Sequence, residues 1–100
     1  MEPIDLSPFP GGELIRQGLD HLARGLESEA ALLVLIGAPR LRELGFNVRD
    51  SAVGSPEHKL YELLSKSDPD SAHARYNALV RKLVSFERAV ETAVAAFDKA

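Results

Sequence analysis

Residues 70–100 contain neither Gly nor Pro, and seven apolar residues recur along them with alternating gaps of three and four: Tyr76, Leu79, Leu83, Phe86, Val90, Ala93 and Phe97. That spacing keeps one side of an α-helix apolar and does not fit the strict alternation of a strand. Asp68-Pro69-Asp70 stands ahead of it: a cap, a proline whose missing donor costs nothing in a first turn, and an acid beside the positive helix end. A helix over about 69–98 follows, roughly 45 Å long at 1.5 Å rise per residue. A compact chain of 100 residues is only about 34 Å across. One helix therefore outgrows the sphere that the chain would fill, which points to an all-α fold built around it.

A second seam runs through Ile15, Leu19, Leu22, Leu26, Glu29, Leu33 and Ile36. Its unbroken phase across Gly18 and Gly25 favours one helix over about 12–36, some 38 Å long. The alternative ends a helix at Gly25 and starts another with Ser28 as its cap. Leu32–Ile36 also reads as a short buried strand. Gly37 suits a helix end, and Pro39 opens a short helix to Leu44 that stops at Gly45. Counting back from Gly45 pairs Leu41 with Phe46 in a Schellman ending. Ser55-Pro56-Glu57 repeats the cap–Pro–acid signal and opens a helix over about 56–65, with Leu60, Leu63 and Leu64 on its apolar side. Residues 1–12 hold three prolines and the Gly11–Gly12 pair, so they form an extended arm, which Ile4, Leu6 and Phe9 would pin to the body.

The expected fold is thus all-α in a single domain over 13–100: two long antiparallel amphipathic helices plus two short ones. Two short helices cannot cover two such long stripes. Val80 and Val94 broaden the last stripe and Val84 adds apolar surface on another side. The expected solution is a homodimer or higher oligomer, completing a four-helix bundle across a two-fold axis. Interface candidates are Gly18 and Gly25, whose missing side chains admit a close backbone, Glu29, the one polar seam position, and Val80, Val84 and Val94.

Composition closes several routes. With no Cys there is no thiol nucleophile, thiolate metal site or disulfide framework. A net charge of −3 does not draw the chain to nucleic acid or anionic membrane. No apolar run approaches a membrane span and the first residues lack a basic signal-peptide start, so the expectation is a cytoplasmic protein without membrane contact. Phosphate-loop, dinucleotide and nucleophile-elbow motifs are missing. No cofactor is expected. His58 and Glu62, at i and i+4, supply two of the three or four ligands that a metal needs, so no metal site is expected either. Residues 1–36 sum to −4 and the remainder to +1, with Arg75, Arg81, Lys82 and Arg88 forming a basic stripe on the last helix. The acidic first helix of the same or a second chain is its simplest counterpart, ahead of nucleic acid.

Arg16-Gln17-Gly18-Leu19-Asp20-His21 carries the Arg-x4-His spacing. It resembles the nuclease motif of HEPN domains, small all-helical bundles that often act on RNA as dimers. The resemblance implies metal-independent RNA cleavage, with Arg16 stabilising phosphate charge and His21 moving protons. In that family the motif opens a late helix, whereas here it lies in the first. The leading expectation is a non-enzymatic protein–protein interaction module, with the HEPN-like RNA-acting protein as alternative. A nucleic-acid-binding regulator using the basic stripe comes third.

Overall fold

A computed structural model describes Leu6, residues 8–51 and residues 54–98. Five α-helices and no strand occur among the described residues: α1 (Gly12–Ala23), α2 (Glu29–Ile36), α3 (Ala38–Glu43), α4 (Pro56–Ser67) and α5 (Ala72–Asp98). No helix among them is long and apolar enough to cross a membrane.

The single helix expected over 12–36 is two helices folded back on each other. α1 ends in a Schellman motif: Gly25 N–H donates to the Leu22 carbonyl at 3.0 Å and Leu26 N–H to the His21 carbonyl at 2.8 Å. Gly25 takes φ +74°, a left-handed conformation that favours glycine. Ser28 then caps α2, its Oγ accepting from Ala31 N–H at 3.1 Å. The physical reason for the break lies in α2 itself. Ala30, Ala31, Leu32, Leu33 and Val34 are consecutive and all buried, so α2 is apolar around its whole circumference. Continued in line from α1, it would show most of that surface to water. Folded back, it is enclosed by α1, α3, α4 and α5. The same enclosure settles Leu32–Ile36 as helix rather than strand.

Close approach makes the α1–α2 hairpin possible. A Cβ on Gly18 would stand 2.4 Å from the Ala30 carbonyl oxygen and 2.5 Å from Val34 Cγ2. At the hairpin's far end Gly37 lies under Leu83 of α5. α3 ends as its spacing implied, with Gly45 N–H on the Arg42 carbonyl and Phe46 N–H on the Leu41 carbonyl, each at 3.0 Å. α4 starts at Pro56 with Ser55 as cap and runs two residues beyond the expected end.

α5 begins three residues later than its start signal suggested. The Asp68 carboxylate accepts from Asp70 N–H at 3.2 Å and the Asp68 carbonyl from Ser71 N–H at 3.3 Å. Asp68-Pro69-Asp70 is therefore the turn between α4 and α5. Side-chain bonding to nearby backbone competes with the first helical turn.

One apolar core joins these elements, with Ile15, Leu32, Leu33, Val34, Leu41, Leu60, Leu64 and Phe86 fully enclosed. The described part of the arm is docked on it. Leu6 is buried, and the Phe9 ring meets Phe86 edge-on at 6.0 Å, while Phe46 approaches Phe86 from another side at 5.6 Å. The arm's Ile4 lies outside the described residues. The molecule measures 47 × 26 × 21 Å with a radius of gyration of 13.9 Å, α5 alone spanning about 40 Å of helix.

Candidate functional site

Along α5 the apolar stripe outlasts its cover. Tyr76 and Leu79 are half-buried, Leu83 and Phe86 are buried, and Val90 is 6% exposed. One turn further on, Ala93 is exposed and Val94 is 44% exposed. These last residues form one wall of a groove of ≈ 300 Å³ whose other walls are Leu6 and Phe9 of the arm and Leu44, Gly45 and Phe46 at the end of α3. Every residue lining it is apolar or glycine. Sequence reasoning named Val94 but not the groove, because the arm and the α3 end meet α5 only in three dimensions. The apolar spacing of Leu6 and Phe9 in a Pro-rich segment was the available signal.

Beside the groove, Arg40 of α3 bridges Glu43 at 3.0 Å and Glu91 of α5. The hydrogen bond to Glu91, then that to Glu43, holds the Arg40 guanidinium more firmly protonated than usual. Glu87 lies one turn before Glu91. Partial burial pushes its carboxyl above the ordinary range, opposed by the Arg40 charge.

The other interface candidates fall in different places. Gly18 faces α2 of the same chain, and Gly25 forms the exposed α1 terminus with open space where a Cβ would stand. Glu29 receives Arg75 Nη2 from α5 at 3.2 Å, a pair tying α2 to α5. Val80 is half-buried and Val84 is 37% exposed. Of the basic stripe, Arg75 is engaged with Glu29, while Arg81, Lys82 and Arg88 are exposed.

Arg16 and His21 make separate attachments. Arg16 is exposed and ion-paired with Glu13, which raises its already high pKa. His21 Nδ1 lies 2.6 Å from Ser28 Oγ. The same Ser28 Oγ caps α2, so this Ser–His contact bonds the last turn of α1 to the first of α2. Serine as a histidine partner was not legible from spacing, since the two residues meet only through the Gly25 reversal. Arg49 adds to the junction, donating to the Ala23 carbonyl at 2.9 Å.

His58 and Glu62 do pair, at 3.3 Å on an exposed face. Among the described residues no group of three or more His, Cys, Asp or Glu could hold a metal ion. The pair borders an open cleft of ≈ 680 Å³ between the α1–α2 turn and α4, where Glu27, Arg49, Asp50 and Lys59 mix both charges around Leu26. Neither sign dominates it, and no single ligand chemistry is selected.

No protein-family model, curated protein or solved structure matches the chain.

Proposed function

We propose that this chain is a non-enzymatic helical interaction module that assembles with a second copy of itself. The observation that carries the reading is the stripe of α5 running on through Ala93 and Val94 beyond the elements that cover it. Because α1 and α2 are separate helices, only α5 carries a long apolar stripe, and the reading rests on it. A cytoplasmic setting belongs to the same proposal and rests on sequence alone.

Light scattering at tens of micromolar tests it: the expected mass is twice 10.9 kDa, and a clean monomer overturns it. The HEPN-like alternative draws no support from the positions of Arg16 and His21, which bond to Glu13 and Ser28 rather than converging. It predicts RNA cleavage in EDTA that disappears in His21→Ala. Nucleic-acid binding through Arg81 and Lys82 predicts salt-sensitive association lost on reversing both charges.

A further inference from the structure

We infer that Ser28 is a nucleophile activated by His21, accepting an acyl group from a small neutral ester or thioester held in the hollow between α1 and the start of α2. The inference goes beyond the self-association reading and is independent of it.

The two residues meet as a nucleophile and its base do. His21 Nδ1 stands 2.6 Å from Ser28 Oγ, within the reach at which a general base takes a hydroxyl proton. A second bond directs that proton. Ala31 N–H donates to Ser28 Oγ at 3.1 Å, so the oxygen already accepts once and its own hydrogen is left to give. Were the imidazole to donate as well, that hydrogen would lose its acceptor in a part-buried site. The hydroxyl therefore donates to Nδ1, with the ring hydrogen on Nε2. Ser55 is the contrast: it caps α4 by accepting from His58 N–H, but its side-chain partner is the Glu57 carboxylate at 3.5 Å.

Space for a reactant lies beside the pair. Leu14, Gln17, His21, Ser28, Glu29 and Ala30 line a hollow of ≈ 290 Å³. Neither Lys nor Arg is among them, and the Glu29 carboxylate is held by Arg75 of α5. A phosphoryl donor would bring negative charge to a wall with no cation to meet it, whereas a neutral acyl group needs none. Leu14 offers the acyl tail an apolar surface. The N–H groups of Glu29 and Ala30, in the first turn of α2, have no acceptor within the helix. They supply donors beside Ser28 for the charge that develops on the acyl oxygen.

In the step, Ser28 Oγ bonds to the carbonyl carbon while its proton passes to His21 Nδ1. The bond from that carbon to the leaving oxygen or sulfur then breaks, and the alcohol or thiol carries the proton away. The chain ends as an acyl-serine ester with a neutral imidazole, and nothing is oxidised or reduced. The step modifies the chain once and involves no turnover, so it sits beside a non-enzymatic role.

p-Nitrophenyl acetate tests this on the full chain. Trypsin releases Ser28 in the peptide Gly25–Arg40, which holds no other Ser and no Lys, His, Thr, Tyr or Cys. An acetyl group carried by that peptide from the intact chain therefore sits on Ser28. The native chain should gain one acetyl group there, and the chain unfolded in guanidinium should gain none in the same time. His21→Gln should slow the labelling on the order of 100-fold, with helical circular dichroism retained. A peptide that stays unlabelled, labels equally when the chain is unfolded, or labels unchanged in His21→Gln overturns the inference. If His21→Gln loses its helical signal, the comparison of folded with unfolded native chain decides by itself. A monomeric chain that labels keeps this inference and overturns self-association, and a dimer that does not label does the reverse.

Discussion

A methyl group added at Gly18 would press on the Ala30 carbonyl at 2.4 Å, and a backbone atom inside a packed hairpin cannot swing aside. Gly18→Ala improves helix propensity by about 1 kcal/mol, yet overpacking of this kind costs about 1–3 kcal/mol. The expected net result is a lower urea midpoint, and an unchanged or higher one would mean that α1 and α2 do not meet there. Ser28 serves two partners, Ala31 N–H and His21 Nδ1. Ser28→Ala should lose about 1 kcal/mol as a cap, with His21→Ala losing part of the same energy, so a double-mutant cycle should show non-additivity. Glu87 supplies a pH signature. Its folded pKa is raised by burial above the unfolded value, so between the two values the folded chain binds more protons and stability falls as pH rises. That cost persists at neutral pH. Glu87→Gln should therefore be more stable than the native chain at pH 7, and the gain should fade below about pH 3.5, where both states are protonated; urea melts at the two pH values measure it.

At the scale of elements, the sign of one substitution separates the two readings of residues 12–36. Were they one helix, Gly25→Ala would stabilise by about 1 kcal/mol. Gly25 instead holds φ +74° at a helix end, where a Cβ costs about 1–2 kcal/mol. Thermal unfolding of Gly25→Ala should show the loss. The local signals for the break, Gly25 as a C′ residue and Ser28 as a cap, were legible in the chain. What outweighed them was the phase of the seam, which Leu26 continues in spacing but not in burial, being 48% exposed. The informative feature was the unbroken apolar run of Ala30–Ile36, since a helix without a polar side has to be surrounded. α3, α4 and the body of α5 were legible because their caps and stop signals act within a few residues. The late start of α5 was not, because an Asx turn at Asp68 and a helical cap share one sequence signature.

For the whole molecule, 47 Å of length against 26 and 21 Å across leaves the apolar end of α5 outside the core. The proposed assembly through that end would link stability to concentration, because a partner that binds only the folded chain stabilises it by mass action. The midpoint of thermal unfolding should rise with protein concentration for the native chain and stop doing so in Val94→Glu. A midpoint independent of concentration in both would argue against shared stability. The candidate surface was only half legible: Ala93 belonged to the seam and Val94 broadened it, whereas Leu6, Phe9, Leu44 and Phe46 come from segments far away in sequence.

By itself the sequence determined the helical class, the existence of the short helices with the α3 stop and the α4 start, and the long α5 stripe. These depend on spacing and capping, which are local and act within a turn or two. Only the tertiary structure decided that residues 12–36 fold back, that Gly18 is taken up by α2, and that His21 belongs to Ser28. It also decided which part of the α5 stripe stays uncovered. Each of those is a matter of which surfaces are left after packing, and burial depends on every element at once. A heptad seam records that a helix has an apolar side; what meets that side is set by the reversal at Gly25 and by the length of α5 beyond the core.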